Sequence, residues 1–126
     1  MIGIAITNLL KASADLMALI SESKIFPYAA DVDTDLPLII YTIDSVDPEY
    51  SKDGWEDDLI AFSVKTYSID YATLQSIVKK VRDALELKMI TGSKRIILTG
   101  MAEGFNLSEN VFVNKLAFKI EVCDYE

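Results

Sequence analysis

Residues 111–122 read VFVNKLAFKIEV, and the second half of this stretch alternates between large apolar residues and small or charged ones. The large apolar residues fall on every second position, at Leu116, Phe118, Ile120 and Val122. Successive side chains of a β-strand point to opposite faces of a sheet. The alternation therefore predicts a strand with one face in the core and one wetter face, which is typical of an antiparallel sheet covered on one side.

Three stretches before this strand are also rich in β-forming residues, namely 38–46 (LIIYTIDSV), 59–67 (LIAFSVKTY) and 94–101 (KRIILTGM). In the second of them, one face carries Ile60, Phe62, Val64 and Thr66. The first begins apolar on both faces, so we expect one face to meet the core and the other a partner. Pro27 and Pro37 exclude a helix through the segment that joins them, and residues 25–28 predict a short edge strand.

Two helices are predicted from apolar residues that recur at spacings of three and four. The first covers residues 4–21. The second begins after Asp70, a favourable N-cap residue, and runs to about Lys88, with Gly92 behind it as a stop signal. The outward side of the second helix carries the cations Lys79, Lys80 and Arg82.

The order of these elements, α–β–β–(β)–α–β–β, predicts an α+β fold. The connections between the strands of each pair are of hairpin length, so the sheet should be mainly antiparallel, with four to five strands and two helices packed on one face. A chain of 126 residues is long enough for one domain with a sizeable core, and we expect a single domain over residues 1–126.

The composition of the chain argues against several classes of function. The net charge of −8 disfavours direct binding to nucleic acid, because the phosphate backbone is also negative. The single cysteine, Cys123, cannot form an internal disulfide. No stretch is apolar over 18 residues, so no membrane-spanning helix is expected. The N-terminus lacks the basic start of a signal peptide, and we expect the chain in the cytoplasm of the cell that makes it.

The segment DVDTDLP, residues 31–37, begins like a calcium-binding loop, with Asp31, Asp33 and Asp35 at alternate positions. Such a loop also needs a glycine at its sixth position and a glutamate at its twelfth. Leu36 and Thr42 stand there instead. We therefore expect no metal site and interpret the segment as an acidic turn that leads into the strand at residue 38.

A second acidic segment, DPEYSKDGWEDD at residues 47–58, predicts a loop or a flared hairpin. Its acidic residues are Asp47, Glu49, Asp53, Glu56, Asp57 and Asp58. Paired carboxylates can perform acid–base chemistry, but that chemistry needs a rigid scaffold, which a charged loop does not offer. Trp55, the only tryptophan, either packs back onto the core or meets a partner.

Histidine is absent, which excludes Ser–His and Cys–His catalysis and histidine metal ligands. The chain has no CxxC motif, no phosphate-binding loop and no dinucleotide-binding glycine motif after a strand. The sequence therefore predicts no catalytic residue, no cofactor and no enzyme activity.

The arrangement of features over nearly the whole chain resembles the tail-completion, or tail-terminator, family of long-tailed phages, prophages and gene-transfer particles. The stretches that carry the resemblance are ADLMALI (14–20), IFPYAA (25–30), the strand entry at residues 37–43, LQSIVKKVRDAL (74–85) and LAFKIEV (116–122). The resemblance implies a ring of copies, often six, that caps the tail tube and docks to the head connector. The implied partners are further copies of the chain, the tail tube protein and the head–tail connector protein, with no membrane. The implied location is the cytoplasm of the producing bacterium and then the virion tail.

A closed ring needs an interface in which one patch meets a different patch. The acidic segment and the cations of the second helix have opposite sign, so we expect them to meet each other across copies or at the end of the tube. The predicted interface residues are Asp47, Glu49, Asp53, Trp55, Glu56, Asp57, Asp58, Lys79, Lys80 and Arg82.

Two other classes remain open at this stage. An acidic protein that imitates DNA would bind a basic DNA-binding protein, and the net charge favours this alternative. It requires that the acidic residues line one face at the spacing of phosphates. A small enzyme that uses carboxylates is the third class, and the absence of histidine argues against it.

Overall fold

The computed structural model describes residues 2–30 and 35–124. In these ranges the chain forms three α-helices, α1 (Ile2–Lys11), α2 (Ala14–Leu19) and α3 (Tyr71–Leu85), and a short 3-10 helix, Glu22–Lys24. It also forms five strands, β1 (Ile25–Pro27), β2 (Leu38–Ser51), β3 (Gly54–Ser68), β4 (Ile97–Asn106) and β5 (Val111–Val122).

The five strands form one sheet in the order β1-β2-β3-β5-β4. The β2–β3, β3–β5 and β5–β4 pairs are antiparallel, and β1 pairs with β2 in parallel. The predicted fold class, α+β with a mainly antiparallel sheet, is confirmed. β3 and β5 are each paired on both sides, and their alternating apolar residues turn one face of the sheet towards the core.

One face of the sheet packs against the helices and holds the core. On β3 the predicted inward residues Ile60, Phe62 and Val64 are buried, and each pairs with an inward residue of β5. Phe62 and Phe118 lie opposite each other, and their ring centroids are 5.2 Å apart in a stacked arrangement. The residues that alternate with these inward residues along β3 and β5 lie on the opposite face of the sheet. We call this opposite face the outer face.

The first predicted helix is wrong in one respect, because two helices replace the single helix over residues 4–21. α1 ends at Lys11, and the Ser13 side chain accepts a hydrogen bond from the Leu16 N–H at 3.2 Å, which makes Ser13 the N-cap of α2. Serine at this position satisfies an N–H of the first turn that would otherwise lack a partner. The helical spacing continues across the break, so the spacing alone could not show it.

The predicted N-cap of α3 is confirmed, since the Asp70 carboxylate accepts a hydrogen bond from the Thr73 N–H at 3.1 Å. The helix ends at Leu85, earlier than the predicted Lys88. Gly92 is not its stop signal. Gly92 has a φ of +81° and lies against Asp124, where a Cβ would collide with the backbone, so its glycine is required by this turn.

The strands also differ from prediction at their ends. β2 runs on to Ser51 and β3 already begins at Gly54, so residues 47–58 form the far part of a long hairpin. Of the two predicted alternatives, the flared hairpin is therefore confirmed. The stretch predicted as a strand at 94–101 begins at Ile97 and extends to Asn106.

Candidate interface surfaces

The acidic hairpin end projects beyond the sheet. β5 pairs with β3 only as far as Asp58, and β1 pairs with β2 only up to Tyr41. Among the described residues, those of β3 before Asp58 are thus paired on one side alone, and at about 3.3 Å per residue they extend roughly 13 Å past β5. We call residues 47–58 the acidic arm. It turns tightly at Lys52 and Asp53, followed by Gly54 with a φ of +114°.

The arm brings like charges together. Glu49 of β2 lies directly opposite Asp57 of β3. The Asp57 charge is the main cause that raises the pKa of Glu49 above its ordinary value of 4.5. One oxygen of Asp57, Oδ1, is buried without a hydrogen-bond partner among the described residues. Like charges in cross-strand positions are destabilising, so the arm carries electrostatic repulsion that a cationic partner would relieve.

The end of the arm also carries two aromatic residues. Tyr50 and Trp55 are cross-strand neighbours, with 70% and 42% of their surface exposed. The Trp55 Nε1–H donates a hydrogen bond to the Asp58 carboxylate at 2.9 Å. Trp55 therefore lies outside the core cluster, and contact with a partner remains a prediction.

The three predicted cations lie together on α3, away from the acidic arm. Lys80 Nζ is 3.9 Å from the Asp15 carboxylate of α2, and Arg82 Nε donates to Glu86 at 2.9 Å. Lys79 is exposed. We call Lys79, Lys80 and Arg82 the basic helix patch. Within one chain it does not meet the arm, and two of its three charges have acidic neighbours of their own.

The outer face of the sheet carries cations that the sequence analysis did not select. Lys65 of β3 and Lys115 of β5 lie directly opposite each other, and Lys119 follows on β5. None of the three forms an ion pair within residues 2–30 and 35–124. The alternation of residues 116–122 already assigned Lys119 to the wetter face. Lys65 and Lys115 become neighbours only through the β3–β5 register, which the sequence does not reveal.

A groove of about 430 Å³ opens between the base of the arm and the start of β4. Leu59 and Ile97 line it with apolar side chains, and Lys94, Arg95 and Lys119 add cations. We call it the outer groove. Lys94 Nζ lies 2.8 Å from the Glu121 carboxylate, and this hydrogen bond is the main cause that raises the pKa of Lys94.

Strand β4 forms an open edge of the sheet. Its outer-face positions beyond the bulge at Thr99 hold the uncharged residues Gly100, Ala102, Gly104 and Asn106. Its one charged residue, Glu103, accepts hydrogen bonds from Tyr71 and Gln75 of α3 at 2.9 and 2.6 Å. The Gln75 hydrogen bond is the first of the causes that lower the pKa of Glu103. An edge strand without charges on its outer face can be approached closely by another chain.

Comparisons with known proteins identify the family of the chain. The sequence profile of the family described as "Tail completion protein gp17" matches residues 4–115. This chain belongs to that family. No curated protein matches the chain.

The fold is also found in a solved assembly. A chain of the structure titled "Virion of native gene transfer agent (GTA) particle" matches with a TM-score of 0.78 and 16% sequence identity. The match covers 93% of this chain and 90% of that chain. At this identity the likeness shows the shared fold.

The tail completion family consists of structural proteins of the phage tail, as the resemblance in the sequence implied. The predicted interface residues of this family member fall into two separate groups, the acidic arm and the basic helix patch. The outer groove is a third surface, which was missed because its lining comes from residues around 59, 94–99 and 119–121. These positions are distant in sequence, and only the strand order brings them together.

Two further predictions concern absent features. In the described ranges, no helix is long and apolar enough to cross a membrane. In the same ranges, no group of three or more Cys, Asp or Glu side chains is arranged to hold a metal ion. Asp31 and Asp33 of the DVDTDLP segment lie outside these ranges, so the interpretation of that segment stays a prediction.

Proposed function

We propose that this tail completion protein closes the end of a tail tube as a ring of copies and offers the ring to the head connector. The observation that carries this proposal is the family match over residues 4–115. The fold supports it, because the acidic arm projects from one region of the sheet while cations lie on different surfaces. A ring needs two unlike patches on each copy.

The proposed partners are further copies of the chain, the tail tube protein and the head–tail connector protein. The acidic arm and the basic helix patch are the proposed contact surfaces, and the helix patch is assigned to the tube end. Charge on such surfaces sets orientation and the rate of encounter, while apolar residues supply most of the affinity. The chain acts by binding, without bond-making chemistry, first in the cytoplasm of the producing bacterium and then in the virion tail.

The arm also suggests how self-association of the chain stays weak until a tube end is present. A two-stranded ribbon without a third strand is marginally stable in water, and the arm carries its own charge repulsion. An arm that gains order and neutralising partners only on assembly keeps the isolated copy soluble. Binding then includes the free-energy cost of ordering the arm.

The distribution of charge does not favour the DNA-mimic alternative. A mimic needs acidic residues along one continuous face, whereas here the acidic cluster is confined to the arm. The outer face carries Lys119 near the base of the arm, and Lys65 and Lys115 farther along the sheet. A DNA-binding partner would therefore meet cations on the same face of the sheet.

The test is deletion of the gene in a phage or prophage that produces particles, followed by electron microscopy. We expect overlong tails or tails without heads, and restoration of normal particles when the gene is supplied in trans. Particles with normal tail length and attached heads in the deletion strain would contradict the proposal.

A further inference from the structure

The outer groove combines an apolar floor with cations at its rim. Leu59 and Ile97 contribute apolar surface from β3 and β4, and the groove's volume of about 430 Å³ has room for an aromatic side chain. Of its cations, Lys94 is paired with Glu121, whereas Arg95 and Lys119 form no ion pair within the ranges that the structure describes. The groove therefore suits an occupant that brings both an apolar group and negative charge.

The end of the acidic arm has this composition. Tyr50 and Trp55 are exposed, and acidic residues flank both of them in sequence, including Asp53 and Glu56. Aromatic residues are enriched at the centres of protein interfaces, and polar and charged residues form their rims. The arm is thus complementary to the outer groove in apolar character and in sign of charge.

The arm cannot fill the groove of its own chain. Leu59 lines the groove and lies on β3, the same strand that carries Trp55. From Leu59 the strand runs outward to Trp55, at about 3.3 Å per residue, so the arm's end points away from the groove at its base. The occupant must come from another molecule.

The arm's edge also indicates how the contact is made. β2 contains Pro48, and its register with β3 shifts between Ile43 and Ser45 and again between Glu49 and Tyr50. Proline, bulges and charges are features that hinder the pairing of one edge strand with another. Contact through the side chains at the arm's end is therefore favoured over addition of the arm to a neighbouring sheet.

We propose that the end of the acidic arm of one copy, with Tyr50 and Trp55, seats in the outer groove of the next copy. Asp53 and Glu56 then approach Arg95 and Lys119 of that neighbour. Arm and groove are different patches of one chain, so each copy gives an arm and receives one, and the contact repeats around a ring. This inference deepens the proposed function and rests on the ring that it includes.

The first test is disulfide trapping between two variants of the purified chain. Both carry Cys123→Ser, which removes the only native thiol; one also carries Trp55→Cys and the other Thr99→Cys, at the groove. We expect a cross-linked dimer when the two are mixed and mildly oxidised, and little in either variant alone. Cross-linking of the Trp55→Cys variant with itself would show that two arms meet, and would overturn the inference.

The second test is a charge swap read out by sedimentation. Reversal of the groove's positive charge by Arg95→Glu with Lys119→Glu should weaken self-association by at least about tenfold. Reversal of the arm's negative charge by Asp53→Lys with Glu56→Lys should weaken it to a similar degree. The chain that carries all four substitutions should regain most of the lost association. A merely structural role of these residues would not give this recovery.

A matched control reverses two lysines outside the groove, Lys11 of α1 and Lys24 just before β1, by Lys11→Glu with Lys24→Glu, and so changes the net charge as much as the groove variant does. It should associate like the unaltered chain. Equal loss in this control, absence of recovery in the fourfold variant, or a chain that stays monomeric at the highest attainable concentration would overturn the inference. Normal tails in the deletion strain, with arm–groove cross-links intact, would instead contradict the proposed function alone.

Discussion

At the scale of the residue, the stacked pair Phe62 and Phe118 is the centre of the core. Both side chains are fully buried between the sheet and the helices. Phe62→Ala should lower the free energy of unfolding by about 3–5 kcal/mol, because it removes buried apolar surface and leaves a cavity. Urea denaturation followed by circular dichroism measures this loss.

The control for this substitution is Phe105→Ala. Phe105 lies on the edge strand β4 with 44% of its surface exposed, and its main ring contact is Phe112. Its loss should cost only about 1 kcal/mol. A Phe62→Ala variant no less stable than Phe105→Ala would contradict the position of the core.

Glu49 and Asp57 give a second prediction at this scale, concerning protonation. The pKa of Glu49 is raised chiefly by the Asp57 charge, so Asp57→Asn should lower it towards the ordinary 4.5. A carboxyl group whose pKa is raised on folding stabilises the fold at low pH, and this contribution is lost as the pH rises through the raised value. The arm should therefore be better ordered in mild acid than at neutral pH.

Carbon-13 NMR of the side-chain carboxyl groups measures the pKa of Glu49 directly. The control is Asp83→Asn, which removes an exposed acidic residue of α3, distant from the arm in sequence, and should leave the Glu49 titration unchanged. The interpretation fails if Glu49 titrates identically with and without the Asp57 charge.

At the scale of the element, Glu103 joins the edge strand β4 to α3. Its carboxylate accepts hydrogen bonds from Tyr71 and Gln75, and these hold its pKa below the ordinary value. A lowered pKa contributes stability above the ordinary pKa that is lost as the pH falls through the folded-state value. Glu103→Ala should therefore lower the melting temperature at neutral pH, and the difference should shrink in acid.

Thermal unfolding at a series of pH values tests this. Glu109→Ala, in the exposed turn between β4 and β5, removes the same charge without these hydrogen bonds and should change the melting temperature less. An equal effect of both substitutions at neutral pH would show that Glu103 acts only through net charge.

Some helices and strands could be predicted from the sequence and others could not. β3 and β5 could be predicted because alternation along a strand reports directly on burial of one face. The ends of β2 and β3 could not, because the arm is polar and exposed on both faces and carries no alternation. The break at Ser13 was missed because α1 and α2 continue one apolar spacing across a capped turn. The arm was found from its charge, whereas the outer groove depends on strand order.

At the scale of the whole molecule, the chain separates its charges by surface. The acidic arm, the basic helix patch and the outer groove lie on different parts of one fold. In the proposed ring, the groove receives the arm of a neighbouring copy. The helix patch then remains available for a different partner. Its cations are partly balanced by Asp15 and Glu86 of the same chain, which suits a surface that must stay soluble before assembly.

The final prediction distinguishes the function of the basic helix patch from that of the arm–groove contact. Lys79→Glu, Lys80→Glu and Arg82→Glu together should abolish capping of tails in complementation of the deletion strain, because they reverse the proposed contact with the tube. The same variant should still form the arm–groove cross-link, since its arm and groove are intact. The control chain with Lys11→Glu and Lys24→Glu, which reverses charges outside these surfaces, should complement normally. Unchanged capping by the triple variant would remove the helix patch from the interface, and loss of the cross-link would mean that the patch, rather than the groove, receives the arm.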